Sequence, residues 1–171
     1  MKNIELRLIG ELMKECRRSD RELAKILGVS QPTISRMIKK LEKEGYISGY
    51  SAIPNFEKLG FEILAITFAK LKKPITPTKL EKGRKEAYKW INSESSPAII
   101  GMSGIGCDAD RVLITFHEDY SKYFDFYNFL KSQSMVEVDG VKSFLINLKD
   151  KNQFLPPSLK YLAGHILERT K

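Results

Sequence analysis

The stretch RELAKILGVSQPTISRMIKKLEKEGY, residues 21–46, contains two helical patterns separated by a tight turn. In the first pattern, Leu23, Ala24 and Leu27 recur at the spacing that puts apolar side chains on one face of a helix. Gly28 follows directly, and glycine tolerates the left-handed backbone that commonly ends a helix. The first part of this stretch therefore predicts a short helix closed by a glycine turn.

The second pattern predicts a longer helix over residues 30–44. We expect the Ser30 side chain to cap this helix by accepting a hydrogen bond from an early backbone N–H. Pro32 fits the first turn, because its missing N–H has no helical partner there. An apolar stripe at positions i, i+3, i+4 and i+7 faces the preceding helices. The stripe consists of Ile34, Met37, Ile38 and Leu41.

The residues on either side complete a small helical domain. An amphipathic pattern over residues 4–17 predicts a first helix, with Ile9, Leu12, Met13 and Cys16 on one apolar face. The segment YISGYSAIP, residues 46–54, has aromatic and β-branched residues around a glycine, which predicts a short hairpin or wing. Two helices joined by a glycine turn and followed by a wing are typical of a winged helix-turn-helix.

The face of the 30–44 helix opposite its apolar stripe carries cations and has no acidic residue at its centre. At about 100° per residue, its centre passes through Pro32, Arg36, Lys39 and Lys43. A helix that enters the major groove needs small polar groups at its tip for base edges and cations further along for phosphates. The candidate DNA-binding residues are Ser30, Gln31, Pro32, Thr33, Arg36, Lys39, Lys40 and Lys43.

Alternatives stay open for this face. Gln31 can pair bidentately with adenine and Arg36 with guanine, or either side chain can hold a phosphate oxygen. Lys39, Lys40 and Lys43 are candidate phosphate contacts. A solvated basic face is also common on amphipathic helices, and charge alone does not separate that interpretation from DNA binding. The helix, glycine turn and wing around this face favour DNA contact.

Strands and helices alternate after residue 60 in the order of a ferredoxin-like βαββαβ domain. The first strand, FEILAITFAKL at residues 61–71, is apolar at nearly consecutive positions, as in a strand covered on both faces. The other predicted elements are a helix at 78–92, a hairpin of strands at 97–102 and 111–117, a helix at 119–132, a strand at 140–150 and a terminal helix that docks on its own subunit or on a partner. The predicted fold is α+β, with a winged helix-turn-helix at 1–55, a ferredoxin-like βαββαβ domain at 56–150 and a C-terminal helical extension at 151–171.

The composition of the chain limits the kinds of partner and cofactor that it is expected to bind. The chain of 171 residues carries a formal net charge of +8, which favours an anionic partner such as nucleic acid. No signal peptide or membrane span is predicted, because no apolar run is long enough to cross a bilayer. Cys16 and Cys107 lack the paired spacing of a zinc or redox motif, and His117 and His165 have no ligand cluster around them. We expect a cytoplasmic protein that needs no metal or cofactor.

The stretch RELAKILGVSQPTISRMIKKLEKEGYISGYSAIPNFEKLG, residues 21–60, resembles the helix-turn-helix of the Lrp/AsnC family, the leucine-responsive or feast/famine regulators. The LEKEG that ends the longer helix, the GY of the wing and the LG that closes the linker carry the resemblance, and the later element order extends it to about residue 150. The resemblance implies that residues 56–150 are an effector and oligomerisation domain. It also implies a homodimer, often assembled into tetramers or octamers, that binds palindromic promoter sites and senses an amino acid or related metabolite.

The apolar strand at 61–71 supports assembly independently of the resemblance. A four-stranded sheet with helices on one face leaves its other face bare, yet this strand is apolar on both. A second copy of the same sheet would cover that face and would present two recognition helices to one duplex. In the alternative, the terminal helix covers the sheet within one chain.

The loop SGIGCDAD, residues 103–110, is the candidate effector site. Regulators of this family usually have a glycine followed three residues later by aspartate in this turn. Here Gly104 is followed at that spacing by cysteine and Gly106 by alanine, so Asp108 and Asp110 are out of register. Glycine N–H groups can hold a carboxylate and an aspartate can hold an ammonium group, as an amino-acid ligand requires. In the alternative, the loop is a plain hairpin turn.

Two other classes of function are alternatives to DNA binding. Siroheme decarboxylases resemble this family in architecture, but where they have an RRxGAxFDS-type stretch this chain has SGYSAIPNF, residues 48–56. An RNA-binding module would stack bases on aromatic residues of its sheet. The aromatic residues of this chain instead crowd the predicted helix at 119–132. Neither alternative explains the basic helix face as well as DNA binding does.

Overall fold

The computed structural model describes residues 2–73, 76–91, 96–152 and 158–168. It contains two compact units, one formed by Met1–Ile53 with Phe154–Lys171 and the other by Pro54–Gln153. No helix in these ranges is both long enough and apolar enough to span a membrane. The helices are α1 (Asn3–Lys14), α2 (Asp20–Leu27), α3 (Gln31–Lys43), α4 (Pro77–Ile91), α5 (Tyr120–Ser132) and α6 (Lys160–Glu168), and the strands are β1 (Ile63–Leu71), β2 (Ala98–Gly106), β3 (Ala109–His117) and β4 (Val136–Asn147).

The first unit has its core where α1, α2 and α3 meet. Leu8, Leu23, Ile34 and Leu41 are completely shielded from solvent there. The three helices occur where the apolar periodicity predicts them, although α1 ends at Lys14 and not at residue 17. The residues that form the stripe of α3 are thus confirmed as its packed face.

A capping box that the sequence analysis missed starts α2. The Ser19 hydroxyl accepts from the backbone N–H of Glu22 at 3.3 Å, and the Glu22 carboxylate accepts from the backbone N–H of Ser19 at 2.8 Å. These reciprocal bonds satisfy two donors that a helix N-terminus leaves unpaired. At the other end, Gly28 has φ +70°, the left-handed conformation expected of the glycine turn.

The segment that follows α3 differs from the prediction. Residues 46–55 form neither strand nor helix, so the short hairpin predicted there is wrong. The backbone N–H groups of Tyr46 and Ile47 donate to the carbonyl of Leu41, and the Ile47 side chain packs on the helical core. No partner strand pairs with this segment in the described part of the chain.

The terminal helix belongs to the first unit. Its closest partner is α1, and Ala163 is completely buried. Leu159, Tyr161 and Leu162 remain exposed around that contact. The helical periodicity near the end of the chain is confirmed, while its docking on α1 depends on contacts that span nearly the whole sequence.

The second unit contains a four-stranded antiparallel sheet in the order β2-β3-β1-β4, with α4 connecting β1 to β2 and α5 connecting β3 to β4. This is the predicted ferredoxin-like order, which is therefore confirmed. The helix side of the sheet holds the second core, where Ala65 and Ala69 of β1 lie against Tyr123, Phe126 and Leu130 of α5. The helices thus cover one side of the sheet.

The other side of the sheet is apolar and partly open. Ile66 pairs with Ile114 of β3 and with Phe144 of β4, which places these three residues on one face. Phe144 is 66% exposed, and Met102 on β2 is 62% exposed. The sequence analysis predicted a second apolar face on β1, and the register confirms it.

Candidate nucleic-acid interface

The helix α3 is held by its buried side and presents its polar side outward. Ile34 and Leu41 have no exposed surface, while Arg36, Lys39 and Lys43 are exposed. The tight turn before α3 is closed by a hydrogen bond of 3.1 Å from the Val29 backbone N–H to the Ala24 carbonyl. This packing sets the direction in which the basic side chains point.

Seven of the eight candidate DNA-binding residues are exposed, and Thr33 is half-buried. Ser30 does not cap α3 through its side chain, so that expectation was wrong. Its hydroxyl lies 2.8 Å from the Thr33 hydroxyl, and its backbone carbonyl accepts from the Thr33 and Ile34 N–H groups. Pro32 has no backbone N–H, so few early N–H groups of α3 are left to meet a phosphate at the tip.

Arg36 lies one turn beyond this tip. Its Nε donates to the Pro32 carbonyl at 3.3 Å, which draws the guanidinium back along the outer side of the helix. Among the residues that the structure describes, Arg36, Lys39 and Lys43 form no ion pair. Their charges are thus not neutralised within the described part of the chain.

Lys40 differs from its neighbours. Its Nζ lies 2.7 Å from Glu5 Oε1 of α1, and a more distant contact of 3.9 Å joins it to Glu44. The hydrogen bond from Lys40 and that from the Lys2 backbone N–H hold the pKa of the Glu5 carboxyl below its ordinary value. Sequence reasoning missed this pair, because Glu5 and Lys40 are 35 residues apart.

The segment after α3, residues 46–55, also contacts this helix. The Tyr50 hydroxyl donates to Glu42 Oε1 at 2.9 Å. Glu42 lies to the side of the basic face, so this bond engages an acidic side chain that borders the outward cations. The segment after α3 therefore contacts this helix even though it forms no hairpin.

The candidate effector loop is a tight hairpin. Cys107 and Asp108 have φ of 52° and 54°, the left-handed pair expected of a two-residue type I′ turn between β2 and β3. The Asp108 carboxylate lies 2.6 Å from Lys70 Nζ, and the Asp110 carboxylate accepts from the Leu71 backbone N–H at 3.0 Å. Both aspartates thus bind the end of β1, while Gly104 and Gly106 lie exposed on β2.

The N-terminal sequence matches known DNA-binding proteins. A family model described as winged helix-turn-helix DNA-binding matches residues 1–48. An uncharacterized HTH-type transcriptional regulator of Pyrococcus abyssi is 44% identical over 63 residues, which are 37% of this chain and 43% of that protein. The leucine-responsive regulatory protein of Rhizobium meliloti is 36% identical over 69 residues, 40% of this chain and 44% of that protein. The chain therefore spans about half the length, or less, of these curated relatives.

The fold is shared over nearly the whole chain. B. subtilis LrpC superposes with a TM-score of 0.68 at 23% identity, covering 90% of this chain and 99% of LrpC. E. coli AsnC gives a TM-score of 0.69 at 17% identity, covering 94% and 98%. A transcriptional regulator from Neisseria meningitidis in complex with L-Met gives 0.72 at 18% identity, covering 95% and 99%.

These findings bear first on the class of the N-terminal domain and then on the resemblance to a family. Residues 1–48 match the winged helix-turn-helix DNA-binding class. The N-terminal sequence is similar to that of a leucine-responsive regulatory protein and the fold is similar to the folds of LrpC and AsnC, so the resemblance to the Lrp/AsnC regulators seen in the sequence is confirmed.

Proposed function

We propose that this protein is a transcriptional regulator that binds palindromic duplex DNA as a homo-oligomer in the cytoplasm. The observation that carries the proposal is the exposed face of α3, whose cations lack ion pairs in the described residues while its apolar stripe is buried. The names of the relatives given above, which describe transcriptional regulators, favour this function over the decarboxylase alternative.

The residues of α3 take two roles in this proposal. Ser30, Gln31, Pro32 and Thr33 form the tip that meets base edges, and Arg36 reads a base or an adjoining phosphate. Lys39 and Lys43 neutralise phosphates further along the helix. Lys40 instead fixes the position of α3 against α1, because its ammonium group is bonded to Glu5.

The open face of the sheet is the proposed dimer interface. An exposed aromatic residue such as Phe144, beside the half-buried Ile66 and Ile114, forms part of an apolar surface that water solvates poorly. A second copy of the same face is self-complementary under two-fold symmetry. Two recognition helices related by that symmetry would read the two halves of a palindrome.

The proposal is tested by selecting bound duplexes from a random pool with wild type, Arg36→Ala and Lys122→Ala. Lys122 is an exposed lysine on α5 of the second unit and serves as the control for loss of charge. We expect a palindromic consensus from wild type and from Lys122→Ala. Arg36→Ala should bind about tenfold more weakly and relax one position in each half-site.

Two outcomes would contradict this assignment. If wild type enriches no duplex over single-stranded RNA at matched salt, DNA reading is excluded. If Arg36→Ala keeps the affinity and motif of wild type, Arg36 has no reading role.

An amino acid or related metabolite is the proposed effector. The Neisseria regulator that shares this fold is bound to L-Met, and the hairpin at Gly104, Gly106, Asp108 and Asp110 is the candidate site. Since both aspartates already bind the end of β1, a ligand ammonium group must compete with Lys70 for Asp108. Calorimetry with the common amino acids tests the proposal, and absence of heat with all of them would contradict it.

A further inference from the structure

A cavity of about 620 Å³ lies in the second unit, between α4 on one side and the sheet and α5 on the other. Its apolar wall includes Leu71, Leu80, Leu113, Trp90 and Phe129. Pockets that hold small molecules have volumes of roughly 300–1,000 Å³ and mostly apolar walls. The cavity therefore has the size and lining of a ligand site, and it is separate from the α3 face.

Two contacts hold α4 over this cavity. At Gly83 an added Cβ would collide with Met135 Cε, so α4 approaches the loop before β4 as closely as a glycine allows. Near the end of α4, the Trp90 ring stacks on Phe126 and Phe129 of α5 at centroid distances of 5.7 and 5.4 Å. The helix is thus anchored although side chains do not fill the space beneath it. The space is partly open to solvent, and an apolar groove of this size on a protein surface marks a site where a ligand binds.

The charged groups of the cavity wall are mainly cationic. Arg84 of α4 and Arg111 of β3 both line it, and neither forms an ion pair within the ranges that the structure describes. Arg111 Nη1 donates to the neighbouring Asp110 carbonyl at 2.7 Å, which leaves other guanidinium donors to bind a ligand. Among the described residues of the wall, Glu86 carries the one carboxylate, and it lies 3.9 Å from the Lys82 ammonium group. A guanidinium with free donors suits a planar carboxylate, which accepts two parallel hydrogen bonds.

We infer that this cavity binds a small apolar molecule that carries a single carboxylate and no amino group. The hydrocarbon part of the ligand packs against the apolar wall, and the guanidinium group of Arg84 or Arg111 binds its carboxylate. An amino acid fits less well, because the Glu86 carboxylate that would bind its ammonium group already has Lys82 beside it. The inference concerns ligand binding in the second unit and does not depend on DNA binding by α3.

Trp90 reports occupancy of the cavity, since it lines the wall and is the only tryptophan of the chain. The full-length protein is titrated with decanoate, with 1-decanol and with L-phenylalanine, and tryptophan emission and thermal midpoint are recorded. We expect decanoate to change the emission in a saturable manner and to raise the midpoint with concentration. Decanol should bind at least about tenfold more weakly, since it lacks the charge that the guanidinium groups pair with.

A charge-removal variant locates the binding groups. In Arg84→Met with Arg111→Met the affinity for decanoate should fall about tenfold or more, while the affinity for decanol stays within about twofold. Lys122→Met removes one cation from α5 outside the cavity and should bind decanoate as wild type does. Circular dichroism establishes that each variant is folded before the titration.

The wild-type comparison decides the inference even if the double variant does not fold. No change of Trp90 emission or thermal midpoint with decanoate would overturn it, as would equal affinity for decanoate and decanol. Binding of phenylalanine without decanoate would show that the cavity is an amino-acid site instead. DNA binding is measured on the same protein without ligand, so that failure of the cavity inference is distinguished from failure of the proposed function.

Discussion

Lys40 Nζ lies 2.7 Å from Glu5 Oε1, and this contact joins the outer side of α3 to the first turn of α1. The same carboxylate accepts from the Lys2 backbone N–H at 2.7 Å through its other oxygen, so it also closes the N-terminus of α1. Glu5 is 4% exposed, which protects both bonds from water. A single side chain therefore couples the start of the helical unit to the position of the proposed recognition helix.

Replacing Glu5 by Gln should lower the free energy of unfolding by about 1 kcal/mol, because the amide keeps the shape of the side chain but not its charge. Glu44→Gln is the matched control, since Glu44 lies 3.9 Å from Lys40 and is largely exposed. Chemical denaturation measures both variants. If Glu44→Gln loses as much stability as Glu5→Gln, the short pair has no special contribution.

The same pair predicts a pH dependence. The pKa of the folded Glu5 carboxyl lies below its ordinary value of 4.5, chiefly because of the hydrogen bond from Lys40. The stabilisation is therefore complete above pH 4.5 and is lost as the pH falls through the lowered pKa. Wild type should lose more stability than Glu5→Gln over that acidic range. Parallel stability profiles for the two proteins would contradict the prediction.

Two adjacent lysines should separate stability from DNA contact. Lys39→Gln should leave stability unchanged and reduce the salt dependence of DNA binding by about one phosphate contact, because Lys39 is exposed and has no ion pair in the described chain. Lys40→Gln should lower the unfolding free energy, because it removes the partner of Glu5. Binding isotherms at several salt concentrations and denaturation curves test the pair. The prediction is wrong if the two variants behave alike in both assays.

The sheet face should control assembly. Phe144→Asp places a charge on an aromatic position that is 66% exposed, and we expect the protein to become monomeric. Phe124→Asp alters an aromatic residue of α5 that is 47% exposed on the helix side of the unit, and it should leave the molar mass unchanged. Light scattering after gel filtration measures both. A dimeric Phe144→Asp protein would show that the sheet face is not the interface.

The terminal helix should stabilise the first unit. Ala163→Glu introduces a charged side chain where no surface is exposed, and it should lower the free energy of unfolding by about 2 kcal/mol or more. Gly164→Ala, one residue further, has no atom within 4 Å of the added Cβ and should be neutral or stabilising by up to about 1 kcal/mol. Thermal and chemical denaturation compare the two. Equal stability of Ala163→Glu and wild type would mean that α6 does not dock on α1.

Much of the fold was predictable because its signals are local. The spacing of Leu23, Ala24 and Leu27 and the glycine after them define α2 within a single short stretch. The apolar run of β1 likewise indicates a strand with apolar residues on both faces, and the sheet register bears this out. The basic face of α3 follows from its apolar stripe by geometry alone.

Other features were missed or predicted wrongly because the deciding partner is distant or competes locally. Residues 46–55 lack a partner strand among the described residues, which their own composition does not reveal. Ser30 bonds the Thr33 hydroxyl in place of a backbone N–H, and both choices are available to the same side chain.

By itself the sequence determined the helices of the first unit, the order of elements in the second and the outward direction of Arg36, Lys39 and Lys43. Periodicity and turn residues act between neighbours, so these properties are encoded within a few residues. Only the tertiary structure decided that Lys40 binds Glu5, that Asp108 binds Lys70 and that α6 packs on α1. Each of these contacts joins residues more than 30 positions apart, and only folding of the chain brings their side chains within bonding distance.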